Sequence, residues 1–233
     1  MTESLRVSGI PIELIRKAIK HAHLSVHPPR GRVTLVVPRG TRPEVARAFA
    51  ITKLAWIRKQ RGQFQTQARE SPRQYVERET HYLWGRRYLL HVQCVNAKPA
   101  VSIDHRRIML RVRPGSSPAK RAEVIQAWQH QLLHQAIPPL IARWQPRLRV
   151  TVNGYFLQRM KTKWGSCNHR RGHIRLNTEL IKKPLDLLEY VVVHEMLHLR
   201  EPKHTDRFFA LLDQHYPGWR TAQLELNALP VAT

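Results

Sequence analysis

Two histidines and one glutamate stand within a five-residue run, His194-Glu195-Met196-Leu197-His198. Residues four apart on an α-helix lie one turn above each other on the same face, so both imidazoles can reach one metal ion. Glu195 is turned about 100° from His194 around the helix, where its carboxylate can hold a water bound to the ion. The pattern predicts a zinc-dependent hydrolase in which Glu195 is the general base.

A catalytic zinc site needs a third protein ligand and one open position. Glu201-Pro202 interrupts the predicted helix soon after His198, and His204 stands two residues beyond the proline. We expect His204 to be the third ligand, because the break turns the chain back and a neutral imidazole matches the other two ligands. Glu201, one turn past His198 on about the same face, is the alternative. One Zn²⁺ per chain is predicted.

These ligands need a buried, well-packed helix to hold them. One is predicted over residues 186–199 from apolar residues on its faces: Leu188, Val191, Val192, Met196 and Leu199. Asp186 and Glu189 have the spacing of a capping box at its start. A second helix is expected over residues 205–216, where apolar residues recur at helical spacing before Pro217-Gly218.

Strands are expected ahead of these helices. Val150-Thr151-Val152 and Tyr155-Phe156-Leu157 flank Asn153-Gly154, a pair typical of tight hairpin turns. Further strands are predicted over residues 160–164 and 173–176.

The run Trp164-Gly165-Ser166-Cys167 has two interpretations. Trp164, Gly165 and Ser166 can line the cleft at a strand end, with the glycine letting a peptide substrate approach the edge. Alternatively, Trp164 belongs to the core and Gly165 marks a bulge. Cys167 as a nucleophile or zinc ligand is disfavoured, because three histidines already fill the protein positions.

The N-terminal part begins with a predicted hairpin. Residues 22–26 and 33–37 alternate polar and apolar side chains around the turn Pro28-Pro29-Arg30-Gly31. A helix follows, with Thr41 as its N-cap and Gly62 as its stop.

A polar linker over residues 63–80 leads into a second β-rich part. Residues 82–95 and 101–112 are rich in β-branched and aromatic side chains, with turn-like breaks at residues 96–99 and 104–107.

The boundary Pro114-Gly115-Ser116-Ser117 separates this part from a long helical pattern over residues 118–144. Pro138-Pro139 is expected to end or kink that helix. We therefore predict two domains: residues 1–115, a β-rich lobe with one helix, and residues 116–233, the catalytic domain.

The chain carries a large positive charge, formally +24 over 233 residues. Between Glu123 and Glu179 there is no acidic residue at all. A field of this sign attracts polyanions, so non-specific nucleic-acid binding through a basic face is predicted alongside a peptide substrate.

Two cysteines, Cys94 and Cys167, are too few for a disulfide scaffold or a cysteine-rich zinc site. No apolar run approaches the roughly 20 residues of a membrane helix, and the N-terminus lacks a signal-peptide plan. A cytoplasmic protein without membrane contacts is expected.

Several motifs together resemble the YgjP-like family of bacterial metallopeptidases, whose motif is related to that of SprT and Wss-type zinc proteases. They are Trp164-Gly165-Ser166-Cys167, Gly172, Leu176-Asn177, the run from Tyr190 to Leu199, and His204 followed by Phe208-Phe209. Val37-Pro38-Arg39-Gly40, ahead of a helix ending near Trp56-Ile57, also resembles that family. Phe209 departs from it, since the family often has tryptophan there.

The resemblance implies a zinc metallopeptidase whose ligands are His194, His198 and His204 and whose general base is Glu195. The expected fold class is α+β, with a zincin-like half in which the active-site helix packs on a small antiparallel sheet. Candidates for the group that stabilises the oxyanion, besides several arginines, are Tyr155, His173, Tyr190 and His215.

Two other functions remain open. A nucleic-acid-associated protein with a structural zinc is one, although such a site normally has four protein ligands. A metal-dependent hydrolase of non-peptide amides is the other.

Overall fold

A computed structural model describes residues 2–27, 31–66 and 73–228 as a mixed α+β chain. It forms two compact units that divide between Glu70 and Ser71. The boundary predicted from the sequence lies later, at residues 115 and 116, so the second β-rich part belongs to the second compact unit. Within the described ranges, no helix is both long enough and apolar enough to cross a membrane.

The first unit is a four-stranded mixed sheet with two helices. The strands are β1 (Thr2–Val7), β2 (Ile10–Lys17), β3 (His23–His27) and β4 (Arg32–Pro38), in the order β1-β2-β4-β3. β2 and β4 are parallel, and the other two pairs are antiparallel. The helices are α1 (Pro43–Thr52) and α2 (Leu54–Thr66). Alternate residues of β4, such as Val33, Leu35 and Val37, are buried in a core that includes Ile57 of α2.

The hairpin predicted in this unit is confirmed, because β3 and β4 pair antiparallel with Leu24 opposite Leu35. Its turn, residues 28–30, lies outside the described residues. The predicted single helix is wrong in its bounds: Arg42 is the N-cap, without a side-chain cap, and Lys53 separates α1 from α2. α2 also continues past Gly62 to Thr66, into the predicted linker; residues 67–72 of that linker lie outside the described part. The strands β1 and β2 were not predicted.

The second unit begins with another four-stranded mixed sheet. Its strands are β5 (Thr80–Leu83), β6 (Arg86–Cys94), β7 (Ala100–Asp104) and β8 (Arg107–Val112), in the order β5-β6-β8-β7. The predicted breaks on both sides of β7 are confirmed. The strand predicted from residue 82 is divided at Trp84 and Gly85, whose φ angles of 49° and 76° make a tight turn.

A single helix, α3 (Pro118–Leu148), continues through Pro138, Pro139 and Pro146, so of the two predicted effects of Pro138-Pro139, an end or a kink, the end does not occur. Both of these prolines are exposed, which lets the carbonyls that they leave without a helical partner face water. The opposite face is buried at Leu133, Ile137 and Ile141. Burial of this face offsets the lost hydrogen bonds.

The rest of the unit surrounds one central helix. A three-stranded sheet contains β9 (Gly154–Gln158), β10 (Gly165–Asn168) and β11 (His173–Asn177), in the order β10-β11-β9, and a 3-10 helix (Thr178–Lys182) follows. The helices are α4 (Leu185–Leu197), α5 (Asp206–His215) and α6 (Trp219–Ala228). α4 packs against β10, β11, α3, α5 and α6.

Three predictions about this sheet are wrong, and two are confirmed. Residues 150–152 form no strand and Asn153-Gly154 is no hairpin turn, since the Asn153 N–H donates to Gly172 O at 2.8 Å. β9 pairs in parallel with β11, so the sheet is mixed rather than antiparallel. Residues 160–164 form a loop. The strands predicted over residues 155–157 and 173–176 are confirmed as β9 and β11, and α6 was not predicted.

Candidate active site

Helix α4 is held at its start by neighbours rather than by its own capping box. Pro184 is its N-cap and supplies no side-chain hydrogen bond. Glu189 instead accepts a hydrogen bond from Trp144 Nε1 at 2.7 Å and one from Arg143. The predicted capping box of Asp186 and Glu189 is therefore wrong, because Glu189 ties α4 to α3.

The structure brings the three predicted ligands together. His194 lies in the last turn of α4, His198 caps its C-terminus, and His204 comes two residues before α5. One ligand atom from each lies within 4.8 Å of the other two. His194 Nε2 and His204 Nε2 are 3.0 Å apart, close to the separation of about 3.3 Å expected for two nitrogens on a tetrahedral zinc.

One aromatic ring forms the floor under all three imidazoles. The Phe208 ring lies with its centroid 5.0 Å from that of His194, 4.5 Å from that of His198 and 4.9 Å from that of His204. Phe208 is fully buried, and its backbone N–H donates to the Thr205 side chain, the N-cap of α5. The start of α5 thus places both Phe208 and His204.

A backbone carbonyl sets the orientation of His198. His198 Nδ1 lies 3.0 Å from Glu201 O. A carbonyl only accepts, so Nδ1 carries the proton and Nε2 is left with the lone pair that a metal requires. Among the described residues, the Glu201 carboxylate is not part of the metal-ligating group; this residue contributes through its carbonyl.

The residues present fit a metal ion. Burial, then the neighbouring imidazoles of His198 and His204, lower the pKa of His194 to about 3. Burial also lowers the pKa of His198. Both rings are therefore neutral at neutral pH, which is the form that binds metals. His194 Nδ1 is buried and has no hydrogen-bond partner in the described part of the chain.

Glu195 lies beside the three histidines and is only 6% exposed. It faces Gly165 of β10, where an added Cβ would meet Glu195 Oε1 at 2.5 Å. Burial raises the pKa of Glu195 to about 8, and the positive charge of Lys163 opposes that rise. A divalent cation beside the carboxylate would favour its charged form.

The histidines and Glu195 open on a cavity of about 430 Å³. Lys163, Trp164 and Gly165 line one side, and Tyr190 and α6 line others. Asn177, which is 1% exposed, anchors this wall: its Nδ2 donates to the carbonyls of Met160 at 2.7 Å and Lys163 at 2.8 Å. The loop between β9 and β10 is thereby fixed against β11.

Comparison with protein families identifies the family of this chain. A family model described as the YgjP-like metallopeptidase domain matches residues 22–229. The chain belongs to the YgjP-like family. The family is one of metallopeptidases, which implies a bound metal ion and peptide or protein substrates.

A solved structure, the metallopeptidase zymogen jannalysin of Methanocaldococcus jannaschii, is similar at 20% sequence identity with a TM-score of 0.35. The similarity covers 39% of the YgjP-like chain and 87% of the jannalysin chain. No curated protein matches the sequence.

Not every residue of the run Trp164-Gly165-Ser166-Cys167 contributes its side chain to the site of this YgjP-like chain. Trp164 and Gly165 line the cavity, but the register pairs Ser166 with Arg175, whose side chain is exposed on the other face of the sheet. Ser166 therefore offers the cavity its backbone. Burial raises the pKa of Cys167 to about 11, so its thiol is protonated and a poor nucleophile.

Of the four named oxyanion candidates, Tyr190 lines the cavity. The Tyr155 hydroxyl bonds His134 Nδ1 at 2.8 Å. His173 packs edge-to-face on Phe156, and His215 lines a different cavity.

Three residues that shape the site were not assigned a role from the sequence: Lys163, Asn177 and Phe208. Lys163 directly precedes the Trp164 run, and this position was the signal that the sequence offered for its role. Asn177 and Phe208 stand in the motifs that resemble the family, but periodicity and spacing do not predict the contacts that give them their roles.

Proposed function

We propose that the chain is a zinc-dependent metallopeptidase, with the ion held by His194, His198 and His204. The grouping of these side chains beside a buried glutamate carries the proposal. A group of three ligands in the described chain favours a catalytic over a structural zinc, since structural sites are normally closed by four.

The chemistry follows from the residues around the cavity. A zinc ion held by the three histidines would supply a Lewis acid that lowers the pKa of a bound water molecule and polarises the scissile carbonyl. Glu195 takes the proton from the attacking water and delivers it to the leaving amine. The Tyr190 hydroxyl, a hydrogen-bond donor at neutral pH, stabilises the oxyanion that develops.

The edge strand β10 supports a peptide as substrate. β10 pairs with β11 on one side only, in the three-stranded sheet of the described chain. Its free edge can therefore bind an extended peptide by strand addition. Trp164, Gly165 and the backbone of Ser166 are the proposed substrate-binding residues. A helix with the metal ligands packed on such a sheet is the zincin-like arrangement that we propose for this fold.

We propose that residues 116–233 form the catalytic domain, because every proposed ligand and wall residue lies there. Residues 1–115 would then form an accessory lobe, although the compact units divide earlier. A cytoplasmic location is part of the same proposal.

The first test compares wild-type protein with Glu195→Gln on a mixed peptide library with added zinc. The substitution keeps the ligands and removes the base, so we expect peptide cleavage to fall by about 100-fold or more while bound zinc is retained. Mass spectrometry measures both the cleaved peptides and the metal content. Equal cleavage by the two forms would show that Glu195 is not the base.

Metal content tests the ligand set. We expect about one zinc per wild-type chain and a marked loss in His204→Ala. His130→Ala, which removes an exposed histidine of α3, is the matched control. Zinc retained in His204→Ala would contradict the proposed third ligand. Bound zinc without cleavage of any library peptide would favour a non-peptide amide as substrate.

A further inference from the structure

The outer face of the three-stranded sheet carries an exposed aromatic ring beside a positive charge. On β11, Ile174 and Leu176 are buried, so Arg175 between them faces outward. The register places Phe156 of β9 directly beside Arg175. Phe156 is 50% exposed, which is unusual for so large an apolar side chain in the middle of a strand.

The turn between β10 and β11 adds two exposed arginines, Arg170 and Arg171. This turn is held in place by the residue directly before β9: Asn153 Nδ2 donates to Arg171 O at 3.0 Å. Gly172 has φ +68°, and a Cβ there would meet Asn153 Nδ2 at 2.6 Å. The basic turn and the strands are therefore one fixed surface, which we call the Phe156 face: Phe156, His173 and Arg175 with Arg170 and Arg171.

The positive charge of this face is not neutralised locally. Arg170, Arg171 and Arg175 form no ion pair with any carboxylate of the described residues. The first acidic residues on either side of this stretch in the sequence are Glu123 and Glu179. Uncompensated arginines on a rigid surface create a potential that attracts polyanions.

We propose that the Phe156 face binds single-stranded nucleic acid. An unpaired base can stack on an exposed aromatic ring, while neighbouring arginines contact the phosphates. A duplex keeps its bases stacked inside the helix, so it would use the arginines alone. An acidic peptide or an anionic membrane would likewise need the charge but not the ring. The proposal does not depend on the peptidase activity, since the binding surface is on the opposite face of the sheet from Glu195.

The test measures binding of the full-length chain to a fluorescently labelled single strand of about 12 nucleotides, within the usual site-size range, and to a duplex of the same length. Fluorescence anisotropy at increasing salt gives the affinity and its salt dependence. We expect Phe156→Ala to weaken single-strand binding by about 5- to 100-fold and to leave duplex binding nearly unchanged. Arg171→Ala should reduce the salt slope by about one for both probes.

Matched controls separate the Phe156 face from the general charge of the chain. Tyr82→Ala removes an aromatic side chain of β5 that is 39% exposed, and Arg113→Ala removes an exposed arginine elsewhere. We expect Tyr82→Ala to leave single-strand affinity unchanged and Arg113→Ala to change it less than Arg171→Ala does. Phe156→Tyr should retain binding because it retains the stacking ring, whereas Phe156→Leu should lose it although it keeps most of the side-chain bulk.

Three outcomes would overturn the proposal. One is an equal effect of Phe156→Ala on single-strand and duplex binding, and another is no loss of single-strand binding in Phe156→Leu. The third is competition by polyglutamate or phosphatidylserine vesicles as effective as that by unlabelled single strand at equal charge. Circular dichroism of each variant confirms that the fold is retained, and the Tyr and Leu variants decide the question if Phe156→Ala is unstable.

Discussion

Gly165 lies so close to Glu195 that β10 has no room for a side chain at this position. An added Cβ would lie 2.5 Å from Glu195 Oε1, 2.6 Å from Cγ and 2.8 Å from Cδ. Non-bonded heavy atoms are at their optimum near about 3.5 Å, so in Gly165→Ala the glutamate has to retreat by about 1 Å. Because Cγ and Cδ are affected as well as the oxygen, the whole side chain must move.

A displacement of this size affects catalysis more than folding. A misplacement of about 1 Å at a reacting group can cost on the order of 100-fold in rate, and we expect that loss of peptide cleavage in Gly165→Ala. The strain of an off-rotamer Glu195, about 0.5–1.5 kcal/mol, is offset by the smaller entropy of the unfolded alanine chain, about 0.4–1 kcal/mol. The free energy of unfolding should therefore change little.

The assay measures peptide cleavage, bound zinc and urea unfolding for wild type, Gly165→Ala and the control Gly40→Ala. A Cβ on Gly40 meets nothing within 4 Å, so that variant should behave as wild type. Bound zinc should be retained in all three, because the added methyl group meets no histidine among its nearest atoms. Full cleavage by a folded, zinc-loaded Gly165→Ala would refute the view that this contact positions Glu195.

Two further predictions concern a hydroxyl and a buried histidine. Tyr190→Phe should lower kcat by about 100-fold with zinc retained. Tyr155→Phe is the control and should leave kcat unchanged, because the Tyr155 hydroxyl bonds His134. Steady-state kinetics with one cleaved library peptide checks both variants, and equal kcat values would exclude Tyr190 as the oxyanion donor. Burial lowers the pKa of His81 below its ordinary 6.5, so below that pH the unfolded chain takes up the proton first. The free energy of unfolding should then fall as the pH drops below about 6.5. Protonation of His81 should contribute at most about 1.4 kcal/mol per pH unit to this fall. His81→Gln should make that fall shallower in urea unfolding between about pH 5 and pH 7.5; an unchanged slope would contradict the argument.

Local periodicity in the sequence was enough to predict the elements that carry the ligands. The four-residue spacing of His194 and His198 places them on one helix face wherever that helix packs, and Thr205 is an N-cap by its own side chain. Their grouping with His204 is seen in the structure, while their roles and that of Glu195 stay predictions.

The errors arose where a distant contact outweighs a local preference. Asn153-Gly154 favours a hairpin, but Asn153 bonds the turn that ends at Gly172 instead, and β9 pairs in parallel with β11. Pro138-Pro139 disfavours a helix, yet burial of Leu133 and Ile137 on the other face of α3 carries the helix through.

Residue type and helical spacing were enough to predict the kind of chemistry, because they decide which side chains can share one ion. The positions of the groups around that ion depend on tertiary contacts. The tautomer of His198 depends on Glu201 O, the floor of the site on Phe208, and the place of Glu195 on Gly165. The contacts of Gly165 with Glu195 and of Phe208 with His194 and His198 join residues that no period in the chain relates. The contact of His198 with Glu201 O spans three residues and depends on how the chain turns after α4.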